Sequence, residues 1–562
     1  MADCMKLAEK ELYTLLLESV GRAVAAGTLP AEPMNTFKIE VPADKSHGDF
    51  AANIAMVNAK AFRMPPRKIA EAIFNELQLQ GSSFEKAEIA GPGFMNFFLK
   101  RQWFSKTVQT VLAEGDDYGK TETGAGKRIL VEFVSANPTG PMHVGNARGG
   151  ALGDSLAEIL NWAGYHAERE FYINDAGNQI EKFATSLEVR YLQLFDPTVQ
   201  IPEDAYLGED ITAHAKAFAE LNGDKYLNTS TEERQNALCD FALPKNIAKL
   251  KSDLEKYRIT YDRWYLESSL HESGKVAEII EKLKKTGYTY EQEGALWLRS
   301  TELGDEKDRV LVRANGVPTY LVPDIAYHYD KLVTRNFDLA IDVLGADHHG
   351  YIARMMAALT ALGAPADRLK IVIMQMVRLI KNGETYKLSK RSGKAVTLET
   401  LLDEVPIDAA RYIFNSKEPN THLEFDLDLA VEQSSQNPVY YVQYAHARIC
   451  SILRNLKAEG IEPQPCTTEQ LCLLTQPAER ELIVHISALP QTIVNAALNF
   501  DPAIITKFAY DLASLFHRFY NSCRVKGEEP DLMQARLALC VATKTALANV
   551  LSLLKITAPE QM

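Results

Sequence analysis

Apolar positions along this chain fall into two kinds of stretch: short continuous runs suited to buried strands, and longer segments repeating every three or four residues. Ile129 to Val134 is of the first kind, broken only by Glu132 and rich in β-branched residues, which predicts a buried strand of a parallel sheet. A Pro- and Gly-bearing loop follows, ending in His143-Val144-Gly145-Asn146. Leu152, Leu156, Ile159 and Leu160 then recur with helical spacing, while Gly149, Gly150, Ala151 and Gly153 let the first turns come close to another backbone or a ligand. A strand, a tight loop and a helix N-terminus together make an anion site, because free N–H groups and the helix dipole point at the loop.

The same patterning divides the rest of the chain. Residues 1–120 read as a separate α/β domain: an amphipathic helix near 6–26, a strand at Phe37–Val41, a helix near 66–79 and a strand at Phe94–Leu99. The Gly-rich stretch 121–127 reads as a linker. Arg169–Ile180 is a second strand running into a polar turn, and 181–285 reads as a mostly helical, Lys- and Glu-rich insertion carrying little chemistry. Ala295–Leu298 and Arg309–Val312 are expected to resume the sheet, with Phe337–Leu344 a further buried strand. Residues 371–394 form a strand or hairpin passing into a basic loop. From Leu398 onward the pattern is helical. The expected architecture is α/β and multidomain: an N-terminal domain at 1–120, a parallel-sheet domain at 121–397 and an all-α domain at 398–562.

Composition narrows the class. A chain of 562 residues should hold about three or four domains. Its 46% hydrophobic and 24% charged residues are those of a globular protein. No apolar run approaches membrane-spanning length and the first residues are acidic, so neither a membrane span nor a signal peptide is expected, and the cytoplasm is the default location. The seven cysteines are scattered with no C-x-x-C pair, which points to reduced thiols rather than a disulfide framework or zinc site. A net charge of −13 disfavours indiscriminate nucleic-acid binding, so any RNA contact must use local basic patches.

The loop between the first strand and helix carries neither GxGxxG nor GxxxxGK[ST]. His143-Val144-Gly145-Asn146 instead resembles the HIGH signature of class I aminoacyl-tRNA synthetases, and the longer Ala136–Asn146, ANPTGPMHVGN, resembles its arginyl-tRNA synthetase version. One departure is Asn146 in place of the second His: it can hydrogen-bond a phosphate but cannot carry positive charge. Lys387-Leu388-Ser389-Lys390, inside a run where Arg378, Lys381, Arg391 and Lys394 face only Glu384, resembles the KMSKS loop that closes on ATP phosphates. GDFAANIAM and IAGPGFMNFFL resemble the tRNA-contacting N-terminal domain of the arginyl family. Asp408-Ala-Ala-Arg411, the aromatic-rich 437–453 and the terminal LLKITAPEQM resemble its DALR-type anticodon-binding domain.

Each candidate residue has a physical rationale or follows from that resemblance. Pro323 should start a helix, placing Asp324 in its first turn with Tyr320 one turn earlier; an aromatic ring and a carboxylate so spaced suit a guanidinium, and the spacing matches the family's arginine-recognition element. Glu132, Ser135, Asn137 and His348 join them as the implied arginine-binding set. Gly345-Ala346-Asp347-His348-His349-Gly350 ends a strand, where a polar loop meets a nucleotide's ribose and base. The implied ATP-binding set is Pro138, Gly140, His143, Gly145, Asn146, Asp347, His348, Ser389 and Lys390. Of these, His143 and Asn146, with Lys387 and Lys390, would be catalytic. The polar turn of Asn174, Asp175, Asn178 and Gln179 resembles a segment specific to arginyl enzymes. Tyr440, Tyr444 and Arg448 are candidate tRNA contacts, although an aromatic stripe in a helix is commonly core. No metal site of the chain's own is read.

The resemblance spans nearly the whole chain and implies an arginyl-tRNA synthetase: ATP with Mg²⁺ activates L-arginine, in a step that generally waits for bound tRNA, and the arginyl group passes to the 3′ end of tRNA(Arg). A monomer is expected in the cytoplasm that composition gives by default. Two rivals stand beside it, a HIGH-type nucleotidyl transferase acting on a small molecule and a non-catalytic tRNA-binding paralogue.

Overall fold

The computed structural model describes residues 3–42, 44–348, 350–386 and 396–562. At its centre is a five-stranded, all-parallel sheet. Strand β1 is Arg128–Phe133, β2 is His166–Ile173, β3 is Arg263–Leu266, β4 is Leu339–Gly345 and β5 is Leu369–Met374. Their order across the sheet is β5-β4-β1-β2-β3, so β1 is the middle strand. Ile129, Leu130, Val131 and Phe133 are buried, as a continuous apolar run demands of a strand covered on both faces.

Helix α1, Val144–Trp162, returns across the sheet from β1. Gly153 is where the two come closest: a Cβ there would lie 2.1 Å from the Phe133 ring. This small residue therefore admits a packed side chain of β1 rather than a ligand. Helix α2 is Leu321–Tyr329, continued by one π-helical turn, Asp330–Thr334, and helix α3 is Tyr351–Ala361.

Three expectations need correction. The span 181–285 is not wholly helical: β3 is the edge strand of the central sheet, hydrogen-bonded in register from Glu170↔Arg263 to Ile173↔Leu266. Ala295–Leu298 and Arg309–Val312 do not resume the parallel sheet but form, with Thr289–Gln292, a separate three-stranded antiparallel one. A short apolar run specifies a strand without specifying its partner. Finally, 398–562 contains the strand Leu423–Asp426, which pairs in parallel with Val377–Lys381.

The N-terminal part has a four-stranded antiparallel sheet flanked by helices Cys4–Ala25, Ile54–Phe62 and Pro66–Asn75. Helix Arg101–Glu114, which falls inside the expected first domain, packs on the C-terminal helices: Ser105 Oγ donates to Thr468 O at 3.2 Å, and Asn549 Nδ2 donates to Gly115 O at 2.9 Å. Nor is 121–127 a loose linker. The amides of Thr121, Gly124 and Gly126 each donate over 2.8 Å to Trp162, Ala163 and Gly164 at the end of α1, and a Cβ on Gly124 would strike Tyr165 at 2.5 Å.

The C-terminal helices join the sheet through buried charge. Arg411, in helix Ile407–Asn415, donates to Asp154 Oδ2 of α1 at 2.5 Å, to Tyr257 O at 3.0 Å and to Leu554 O at 2.6 Å. Asp408 accepts from Arg258 and from the Thr557 amide, which fixes the terminal segment. Helix Pro530–Leu553 is long and apolar enough to cross a membrane, contrary to the expectation from composition, yet 72% of its most apolar window is buried within the chain. All seven cysteines are free thiols.

Candidate active site

The site is built on the carboxyl ends of the parallel strands, where open α/β sheets bind ligands. As β1 ends, Val134 and Ser135 take positive φ values of 69° and 42°. For a β-branched residue such as Val134 this backbone is strained, and such strain concentrates at sites whose geometry is dictated by function. The turn brings the Ser135 hydroxyl onto Glu132 Oε1 at 2.8 Å, while its oxygen accepts the Tyr172 amide at 3.2 Å.

His143 caps α1 and is exposed. Asn146 has a structural task, its Oδ1 accepting the His143 amide at 2.8 Å. The helix start is not a row of free N–H donors: the amides of Asn146 and Ala147 bond His143 O, and that of Val144 bonds Val396 O at 3.0 Å. The expected anion site is therefore left with the helix dipole and side chains rather than a row of free amides. Val396 matters because it closes the basic loop. His143 and Thr397 form an antiparallel bridge, and the Leu398 amide donates to Met142 O at 2.8 Å. Lys387, Ser389 and Lys390, with Arg391 and Lys394, lie outside the described residues, as does His349; the hairpin Val377–Lys381 and Glu384–Thr385 leads into the loop from the other side.

The loop 134–143 is buttressed from the insertion. Asn246 Nδ2 donates to Pro138 O at 2.9 Å while its Oδ1 meets His214, and Gly140 faces Asp210. Asn137 is exposed, Pro138 is buried, and Gly145 has open space where a side chain would be. Asp347 and His348 are exposed just beyond β4 and contact each other at 3.1 Å.

Tyr320 stands immediately before α2, half-exposed, its hydroxyl accepting the Asn178 amide at 3.2 Å. This contact brings the polar turn at 174–179 to the same place, with Gly177 against the Tyr320 ring. Asp175 is committed elsewhere, accepting from both the amide and hydroxyl of Ser268. Asp324 follows in the first turn of α2; burial pushes its carboxyl up to about 7, reinforced by Glu267 and Glu132 and opposed by His328 and Lys331. Glu132 itself is beneath the pocket with both oxygens taken, one by Ser135 and the other by Lys331 Nζ at 2.5 Å. Each oxygen thus has one partner within the chain and keeps a further lone pair.

Glu267 escaped sequence reasoning. It directly follows β3, is 4% exposed, and its carboxyl is raised by burial. It faces the Tyr172 hydroxyl and has His271 at 3.8 Å. The signal was present in Trp264-Tyr265-Leu266-Glu267, an apolar run ending in an acid, hidden by its charged surroundings. Asp324 and Glu267 are thus two neighbouring carboxyls raised by burial, a pair whose ionised form a nearby cation would favour.

Comparison with known proteins matches three family models: arginyl tRNA synthetase N terminal domain over residues 14–99, tRNA synthetases class I (R), catalytic domain, over 107–452, and DALR anticodon binding domain over 442–562. The chain belongs to the arginyl-tRNA synthetase family. It is 52% identical over 562 residues to the arginine–tRNA ligase of Caldanaerobacter subterraneus subsp. tengcongensis, covering 100% of both chains. It is 51% identical over 555 residues to that of Ruminiclostridium cellulolyticum, covering 98% of each. The solved Thermus thermophilus arginyl-tRNA synthetase shares its fold at a TM-score of 0.74 and 24% identity, over 97% of this chain and 99% of that one. In the present chain the third candidate set lies on helix Pro438–Ala458. Tyr440 and Tyr444 stack with parallel rings 6.4 Å apart, Tyr444 is 41% exposed, and Arg448 lies over the Tyr520 ring at 4.4 Å. The stripe is at the surface rather than in the core.

Proposed function

We propose that the chain is an arginine–tRNA ligase whose active site is the crevice bounded by His143, Asp324, Glu267 and the basic loop. The observation that supports this reading is the bridge between His143 and Thr397, which joins the first signature to the residue that follows the basic loop in sequence, on the side of the sheet where Asp324 and Glu267 lie. Full-length relatives at about half identity bearing the same name support it.

In the first step an arginine carboxylate oxygen attacks the α-phosphorus of ATP, the bond to the bridging oxygen breaks, and pyrophosphate leaves with the electron pair. Such phosphoryl chemistry asks for positioning and charge stabilisation. His143, the N-terminal dipole of α1, Lys387 and Lys390 supply the charge, while Gly145 leaves space beside the phosphates. Magnesium would accompany ATP, its phosphates supplying the oxygen ligands such a hard cation prefers. Asp347 and His348 take the adenosine. Asp324 and Glu267 pair with the guanidinium, Tyr320 lies against its plane, and Asn137 holds the α-amino acid end. In the second step the terminal adenosine hydroxyl of tRNA attacks the arginyl carbonyl carbon and AMP leaves.

Tyr440, Tyr444 and Arg448 offer stacking faces and a cation for tRNA, and residues 1–100 a second contact. The protein acts as a cytoplasmic monomer in this reading. Transfer of labelled arginine to tRNA tests it: failure with active ATP–pyrophosphate exchange would make the chain a small-molecule adenylating enzyme, and failure of both a non-catalytic paralogue.

A further inference from the structure

Beneath the pocket, ionisable side chains from neighbouring elements are buried together. Glu132 on β1 and Asp342 on β4 are register partners in adjacent parallel strands, so two carboxylates share one low-dielectric layer. Lys331, with no exposed surface, donates to both, at 2.5 Å to Glu132 Oε2 and 2.8 Å to Asp342 Oδ1. One ammonium offsets only one of the two negative charges. The remaining acceptor, Asp342 Oδ2, lies 2.7 Å from His328 Nε2, and the other ring nitrogen, Nδ1, lies 2.7 Å from the backbone oxygen of Asp324.

A carbonyl oxygen can only accept a hydrogen bond, and so can a carboxylate kept ionised by a neighbouring ammonium. A neutral imidazole has one N–H to give, and here two are required. We propose that His328 is a buried imidazolium, a positioning residue that closes a charge-neutral quartet with Glu132, Lys331 and Asp342 and clamps the α2 turn bearing Asp324. The inference rests on the reading of Asp324 as the guanidinium partner. The groups around His328 are Asp324 and Lys331 from its own helix and turn, Asp342 from β4, Glu132 from β1, and the rings of Tyr327 and Tyr351. Lys331 and His328 both hold Asp342 well below the usual carboxylate range, consistent with an ionised acceptor.

A cation there has a use. Asp324 must be an anion to receive a guanidinium, yet burial, Glu267 and Glu132 all oppose its ionisation. His328 is the foremost of the groups working the other way. Its protonation lets the pocket hold an excess of negative charge for the substrate while the layer below stays neutral.

The test uses the full chain labelled with nitrogen-15 in its histidine rings, the His328 signals being assigned by their loss in His328→Gln. At neutral pH both ring nitrogens should be protonated. Asp342→Asn is the informative variant: its amide oxygen still accepts from Lys331 and its NH₂ donates back to Nε2, so shape is kept while His328 falls to one proton. With that charge gone, KM for arginine should rise roughly 10–100-fold, the range of one charged hydrogen bond, with KM for ATP and the far-ultraviolet circular dichroism unchanged. A wild-type His328 with one bare ring nitrogen, or an Asp342→Asn enzyme with unchanged KM for arginine, would overturn the proposal. Should Asp324→Asn leave arginine kinetics untouched, the guanidinium assignment fails on its own, and the nitrogen spectrum still decides the state of His328.

Discussion

His143 and Thr397 face each other across an antiparallel bridge, so the residue that opens α1 is tied to the residue that follows the basic loop in sequence. If His143 and Lys390 act on the same phosphates, removing each should be costly and removing both less than additive. Each alanine variant should lose about 10²–10³ in turnover of adenylate formation, with a smaller change in KM for arginine. A double variant whose loss equals the product of the two single losses would show that they act independently.

Asp324 sets opposite demands on stability and activity. Its carboxyl, raised to about 7 from 3.8, takes up a proton on folding, so it costs stability increasingly as pH climbs through that window and continues to do so above it. Asp324→Asn should therefore be more stable than wild type at about pH 8, by roughly 1–3 kcal/mol, with a higher unfolding temperature, and show little difference near about pH 4. In the wild type, kcat/KM for arginine should fall on acidification below about 7 as the free pocket takes up its proton. Calorimetric scans across pH and an arginine pH–rate profile check both; equal stabilities at high pH would mean the carboxyl is not strained by burial.

Glu267→Gln keeps the volume of the buried side chain and removes its charge. KM for arginine should rise roughly 10–100-fold while that for ATP holds, since a charged hydrogen bond contributes about 1.5–3 kcal/mol. Unchanged arginine kinetics would leave Glu267 as a partner of Tyr172 and His271 only.

Much of this site was legible in the sequence and some was not, for identifiable reasons. The central strand, its loop and α1 declared themselves because a continuous apolar run, a Pro/Gly loop and helical periodicity followed in order. Asp324 was legible because Pro323 marks a helix start. β3 was missed because Arg263–Leu266 is an edge strand of four residues within Lys- and Glu-rich flanks, and Glu267 went with it. Nothing in the sequence marks Lys331 or Arg411 as buried, and only tertiary packing shows each fully buried against Asp342 and Asp154. Local periodicity carries no information on a partner so distant in sequence.

The packing of helix Arg101–Glu114 fixes where the chain can be cut. Trp103, Phe104, Val108 and Val111 are buried, and Tyr118 donates to Ile486 O at 2.9 Å. A chain beginning at residue 101 should keep a folded catalytic core, although Trp103 Nε1 loses Cys4 O as its acceptor, and show a raised KM for tRNA. One beginning at residue 121 should aggregate, having bared the apolar face of the C-terminal helices. Size-exclusion chromatography separates the two, and equal behaviour would contradict the assignment of this helix to the C-terminal packing.

The central claim is that a guanidinium is selected by the carboxylate pair of Asp324 and Glu267, and the most direct measurement is ATP–pyrophosphate exchange with tRNA present for every standard amino acid and citrulline. Arginine alone should support exchange. Lysine, whose compact ammonium cannot satisfy carboxylates set for a planar fork, and citrulline, which has the shape without the charge, should fall short by about 10⁴–10⁵. Asp324→Asn should abolish arginine-dependent exchange while ATP still binds. Exchange driven by lysine or citrulline, or an Asp324→Asn enzyme that activates arginine like the wild type, would contradict the account.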